Sequence, residues 1–317
     1  MKKRKKGSII SDFLGGYMLD YTVTTRAKSV KQPRGGYLKP SSMQKIVFED
    51  GKELGDENIN PGLVGSAVDC LTDYMDMFSD VSTNAERHIK TKLLMGMSNF
   101  FNKEYFIMHI FSKSYLGYKH RESFFGKDST IIRYDYDNGL DAKSLINGIN
   151  GLDDDSIIAA CRLAAYDIWM WMNPKEAMNA LASVEHIVPD ASTIENIRVM
   201  VKRSITFFSQ FGPIIEAHNS MHIGGDSIIN AGEYDYLTKD TLWDFKVSKK
   251  EPNNKQTLQI LIYWIMGMHS NLEFFDRVEK IGIYNPRLNT AYIKAIKDIP
   301  EETITTICKD VICYKEI

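Results

Sequence analysis

Between Gly232 and Lys246 the chain reads GEYDYLTKDTLWDFK, and two acids and a lysine stand there at spacings that a β-hairpin would bring together. With Thr238 and Thr241 closing a turn around Lys239 and Asp240, Asp235 falls directly opposite Asp244. Opposed side chains on one face of a ladder sit roughly 4.5 to 5.5 Å apart at Cβ, where like charges repel unless a cation lies between them. Strand alternation turns Lys246 to the same face as Asp244 and sends Trp243, Phe245 and Val247 to the other, apolar face. Two carboxylates are hard oxygen ligands of the kind that hold magnesium or manganese. An ion held this way polarises a phosphoryl oxygen and acidifies water, and a neighbouring ammonium stabilises developing negative charge. The chemistry expected of this segment is metal-assisted phosphodiester hydrolysis. One competing register stays open: a three-residue loop would turn the carboxylates to opposite faces, and the TKDT turn has no glycine to fix its type.

The next segment, from about Asn254 to His269, has the spacing of a helix. Gln256, Gln259 and Tyr263 share one face of it, against an apolar remainder that includes Leu258, Leu261, Ile262, Ile265 and Met266. Glutamines so placed can bond phosphate, or they can simply face solvent. Lys249, Lys250 and Lys255 lie between hairpin and helix, where the phosphates of a bound strand would need countercharge, or where a loop would be solvated.

Taken in order, Glu216, Gly232-x-x-Asp235, Asp244-x-Lys246 and Gln256-x-x-Gln259-x-x-x-Tyr263 resemble the PD-(D/E)XK nuclease superfamily, in particular its RecB-like exonuclease branch. The resemblance covers roughly Pro213 to Tyr292. It implies a central mixed sheet flanked by helices and cleavage of single- or double-stranded DNA that depends on Mg2+ or Mn2+. Asp235 and Asp244 would be the metal ligands, Lys246 the catalytic lysine, and Gln259 and Tyr263 their neighbours at the active centre. Gln256 would face the nucleic acid. Glu216 matches the acid that precedes the GxxD strand in many members, as a ligand or as a structural residue. Members of the branch often carry a metal-binding histidine after a glycine on an upstream helix. The matching stretch here, Gly65 to Asp69, offers Asp69, either as a ligand or as an ordinary polar-face residue. Relatives with an iron–sulfur cluster hold it on one upstream and three C-terminal cysteines. This chain has only Cys308 and Cys313 near its end, with Cys70 and Cys161 far upstream, so no iron–sulfur cluster is expected. Two other classes stay open: a catalytically silent module that binds nucleic acid or protein, and a hydrolase of small phosphorylated molecules.

Opposed carboxylates require a sheet, and the sheet signals gather late in the chain. Short β-favouring runs occur at Pro213 to Ala217, Ile228 to Leu237, Thr241 to Val247, Lys280 to Asn285 and Ala291 to Ala295. Upstream, helical spacing dominates, at Pro61 to Ser79, Asp155 to Met172 and Ser192 to Phe208, the last capped by Asp190, Ser192 or Thr193. The fold class is therefore mixed α/β (α+β). The divisions expected are a basic arm and linker over 1–40, a mostly helical region over 41–211 that partly packs on the core, and the nuclease-like core over 212–317.

With 317 residues, 44% of them apolar and 25% charged, the chain suits a globular fold and excludes a disordered or collagenous one. Its net charge of −2 is unevenly spread. Nine Lys or Arg against Asp12 and Asp20 give residues 1–34 a charge of +7, leaving −9 for the rest, so a basic arm precedes an acidic body. Such an arm either neutralises phosphates or merely solubilises. No apolar run approaches roughly 18 residues and no secretory signal follows the lysines, so a cytoplasmic protein with no membrane partner is expected. Protein partners and a homo-oligomer are left open. No GxxxxGK[ST] is present, so no ATP-driven motor is expected. The acidic run Asp135, Asp137, Asp141 departs from a calcium loop, and His218 with His222 lacks a third zinc ligand nearby. The aromatic group Tyr166, Trp169 and Trp171 reads as core in preference to a base-stacking platform.

Overall fold

The computed structural model describes residues 21–78, 108, 110–171, 184–218, 220–221, 227–270 and 272–314. In chain order these form β1 (Tyr21–Thr22), α1 (Val23–Ser29) and β2 (Gln44–Val47), then α2 (Pro61–Phe78), α3 (Ser112–Phe125), α4 (Thr130–Asp137), α5 (Ala142–Asn147), α6 (Asp154–Trp171) and α7 (Ala191–Phe211). Then come β3 (Glu216–Ala217), β4 (Ser220–Met221), β5 (Ile229–Glu233), β6 (Tyr236–Leu237), β7 (Thr241–Phe245), α8 (Asn254–Met268), β8 (Lys280–Asn285), β9 (Thr290–Ala295) and α9 (Glu301–Thr306), which runs on into a π-helical turn, Ile307–Ile312. Two compact units result. One spans Glu53–Phe207; the other joins the segment ending at Lys52 to the chain from Phe208 onward. No helix among the described residues is long and apolar enough to cross a membrane.

The first unit is helical because its apolar residues recur at helical spacing and its helix starts are capped. Leu63, Val64, Ala67, Val68 and Leu71 bury one face of α2, which packs on α6; α3 packs there too. Asp190 accepts a bond from Thr193 N at 2.7 Å and starts α7, while Asp141 accepts from the amides of Lys143 and Ser144 and starts α5. Two acids of the Asp135, Asp137, Asp141 run have structural partners: Asp135 on α4 pairs with Arg121, and Asp141 caps α5.

The second unit is built on a six-stranded mixed sheet in the order β2-β9-β8-β7-β6-β3, with a smaller sheet, β1-β5-β4. Only β7 and β8 run parallel in the large sheet, because α8 carries the chain back across its face between them. Residues 257–267 of α8 are all buried. A one-sided amphipathic stripe would not survive here, since α8 packs on β7 and β8, on α1 and on the C-terminal π-helical turn. On the opposite sheet face Trp243, Phe245 and Tyr236 pack with Phe208 and Phe211, the Phe208 and Phe245 rings stacked at 5.3 Å.

The N-terminal boundary differs from the one expected. Tyr21–Ser29 is not arm or linker but a strand and a helix of the sheet unit, and β2, expected within the helical region, pairs with β9. The reason is local. Thr22 and Thr25 form a reciprocal capping box, and Val23 and Ala27 are buried. Arg26, counted among the charges of a solvated arm, instead donates to Val311 O at 2.7 Å and Asp310 O at 2.9 Å, satisfying carbonyls at the end of the C-terminal turn. The run Ile228 to Leu237 also splits, its two halves joining different sheets at Tyr234-Asp235.

Candidate metal centre and active site

β6 pairs with β7 through Tyr236–Trp243 and Leu237–Leu242, the register that puts Asp235 opposite Asp244. The two-residue turn holds without glycine, and neither Lys239 nor Asp240 takes a positive φ. Thr238 N donates to Thr241 O at 3.0 Å, and the Trp243 indole donates to Thr238 Oγ1 at 3.0 Å. Trp243 can reach it because its partner on β8 is Gly282, where a Cβ would come within 2.2 Å of the indole. Asp240 is fixed in turn by Thr241 Oγ1 and Lys280 Nζ, each at 2.7 Å. Side-chain bonds and contact with β8 thus exclude the three-residue loop.

Asp244 is 1% exposed. Lys246 Nζ donates to its Oδ1 at 2.7 Å, while its Oδ2 is buried with no hydrogen-bond partner. Across the hairpin, Asp235 Oδ2 accepts from Phe245 N at 2.6 Å, so one oxygen continues the ladder beyond its last backbone pair. Burial, reinforced by the charge of Asp235 and opposed by Lys246, pushes the Asp244 carboxyl up to about 7. Burial alone would lower Lys246, but the charges of Asp244 and Asp235 outweigh it and the ammonium is held above its ordinary range. Burial and the charge of Asp244 raise Tyr263 to about 12, keeping it a phenol. Two carboxylates facing one ammonium leave an excess negative charge, and a buried carboxylate oxygen without a donor is an expensive vacancy in hydrogen bonding. A hard divalent cation fits that oxygen, its charge and its donor type. Magnesium commonly takes only one or two protein carboxylates.

α8 brings two further side chains to this place. Gln259 Nε2 donates to Tyr263 OH at 3.1 Å and to Thr24 Oγ1 at 3.1 Å. Gly232 makes room for them, since a Cβ there would stand 2.6 Å from Val23 and 3.1 Å from the Tyr263 ring. Gln256, expected to face nucleic acid, is engaged otherwise: its Oε1 accepts from Asn253 N at 2.9 Å, and Asn253 caps α8 in return. Lys249, Lys250 and Lys255 are exposed. The loop that carries Lys249 and Lys250 is tied down by Asn285, whose amide donates to Ser248 O at 2.8 Å, while Lys246 N donates to Tyr284 O at 2.9 Å.

Glu216 lies on β3 opposite Leu237, two residues along from Asp235. Asp69 lies on α2 in the helical unit, where burial and then Asp167, Asp73 and Asp69 itself raise the Cys70 thiol. Among the described residues no three His, Cys, Asp or Glu side chains converge as metal ligands, so Glu216 is not brought into a triad with Asp235 and Asp244. His218 sits 3.7 Å from Glu233, and Tyr166 is core, bonded to Leu140 O. His222 and the side chains of Trp169 and Trp171 fall outside the described residues, as do Lys2 to Lys6 of the basic segment. Thr24 and Asn285 are the site neighbours that sequence reasoning missed. In comparison with known proteins, the chain matches no family model, no curated protein and no solved structure.

Proposed function

We propose that this chain is a divalent-metal-dependent nuclease that hydrolyses DNA phosphodiester bonds, using Mg2+ or Mn2+ held by Asp235 and Asp244. The observation that carries the reading is the buried, partnerless Oδ2 of Asp244, set opposite a second carboxylate and beside Lys246. A bound ion would supply the Lewis acid for the phosphoryl group. The chain's own residues do the rest. Lys246, 27% exposed, presents an ammonium at the edge of the pair, where it orients the attacking water and stabilises charge growing on phosphate oxygens. Tyr263, kept protonated, donates a hydrogen bond towards the phosphate, and Gln259 holds it. The exposed Lys249, Lys250 and Lys255 offer countercharge to the strand. Exonuclease-like action on DNA ends is the finer form of the proposal, and it rests on the motif order shared with the RecB-like branch.

The test uses linear and closed circular DNA, single- and double-stranded, with Mn2+ or EDTA, beside Lys246→Ala. Linear DNA is expected to be cut only with metal, closed circles to resist, and the variant to be nearly inert. Equal cutting by Lys246→Ala would overturn the mechanism, and metal-independent binding without cleavage would make the chain a binding module.

A further inference from the structure

We infer that Thr24, on the first turn of α1, is a positioning residue of this site, its hydroxyl orienting the Gln259 amide and through it the Tyr263 hydroxyl. The inference rests on the nuclease reading above for its catalytic consequence, though not for the contact itself. An amide nitrogen carries two hydrogens, and Gln259 spends one on Thr24 Oγ1 and the other on Tyr263 OH, both at 3.1 Å. Gln259 is 8% exposed and Tyr263 4%, so water is poorly placed to replace the bond between them, while the bond to Thr24 is part-buried. Having accepted from Gln259, the Tyr263 oxygen keeps its own hydrogen to donate. That hydrogen stands within the field of Asp244, Asp235 and Lys246, whose charges all act on it.

Thr24 is itself held on both sides. Before it, Thr22 caps α1 and Val23 is buried against Gly232, which also touches the Tyr263 ring. After it, Arg26 ties α1 to the carbonyls of Asp310 and Val311. A hydroxyl fixed in this way pre-orients the group it meets, which is what a supporting residue contributes to a site.

Thr24→Val keeps the shape and removes the hydroxyl, Thr24→Ala serves if the valine variant folds poorly, and Thr24→Ser restores the bond. In the metal-free protein, the Gln259 side-chain amide signals, assigned by their loss in Gln259→Leu, are expected to exchange with solvent faster in the valine or alanine variant and at the parent rate in the serine variant. On DNA, kcat is expected to fall about tenfold with KM within about twofold, and serine to recover it, the pattern of an interaction felt in the transition state. Unchanged amide exchange, or a loss of kcat that serine does not recover, would overturn the inference. If the parent protein cuts no nucleic acid, the nuclease reading fails while the amide measurement still decides the role of Thr24.

Discussion

In the helical unit Asp135 is buried against Arg121, whose guanidinium also lies over the rings of Phe125 and Tyr166 at 5.6 and 5.8 Å; in the sheet unit Asp244 is buried against Lys246. Burial raises both carboxyls, and in both an opposing cation pulls back. The difference lies in what each pair leaves over. Asp135 has no buried oxygen without a partner, and its cation is a planar fork packed between aromatic faces, a closed arrangement. Asp244 has an orphaned oxygen, a second carboxylate across the ladder and a compact ammonium on a side chain that is 27% exposed. One pair is complete within the protein. The other keeps a buried oxygen without a donor beside a second carboxylate, and the proposed metal site rests on that difference.

The comparison breaks first at the cations. Lys246→Ala is expected to lower DNA cleavage about a thousandfold at a stability cost of only about 1–2 kcal/mol, because Asp244 relieves itself by taking a proton. Cleavage rates and denaturant midpoints on one preparation check both halves. Arg121→Ala should do the reverse. It removes the partner of a buried carboxylate together with the guanidinium packed on Phe125 and Tyr166, and is expected to cost about 3–5 kcal/mol, while kcat per folded molecule stays at the parent value. An Arg121→Ala variant that loses activity without losing stability would erase the distinction.

Acidity sharpens it further. Asp244 moves from 3.8 to about 7 in the fold, so the native state holds its proton more tightly than the unfolded state. Unfolding then releases protons, and the stability of the metal-free protein is expected to fall as pH rises from near 4 through about 7. Asp244→Asn should flatten that slope and raise stability near neutrality, and Mn2+ should raise the melting temperature of the parent but not of the variant. Melting curves between pH 4 and 8, with EDTA and with Mn2+, read all three outcomes.

The same pair shows why some of the site was legible in the sequence. The hairpin could be read because alternation and a two-residue turn are local properties, and the register they predict is the one observed. What fixes that register was not legible, since Trp243 over Gly282 and Asp240 with Lys280 come from a strand some forty residues away. Thr24 lies 235 positions from Gln259, and its helix was hidden in a segment whose charge suggested a tail. Charge counts do not reveal that one arginine is spent on the carbonyls of Val311 and Asp310. Mixed α/β class was legible, because periodicity separates helical from extended segments. The return of Gln44–Val47 to the far edge of the sheet was not, because strand pairing between distant segments leaves no local trace.

Gln256 is the smallest and most instructive case. It shares a helix face with Gln259 and Tyr263, and that face together with the motif resemblance assigned all three to the site. Position along the helix separates them. Gln256 is the third residue of α8, and with Asn253 it forms a capping box, its Oε1 on Asn253 N at 2.9 Å and Asn253 Oδ1 on Gln256 N at 3.4 Å. The Asn253 amide is thereby paired, and the Gln256 amide gains a second acceptor beside Asn253 O at 3.0 Å. Gln256→Ala is therefore expected to cost about 0.5–1 kcal/mol of stability and to leave kcat and KM for DNA within about twofold. Gln256→Glu should retain the stability through the same backbone bond and, if the side chain approached phosphate, would raise KM by repulsion. A glutamate variant with parent KM and parent melting temperature fixes Gln256 as a helix start, while a rise in KM would return it to the nucleic-acid surface.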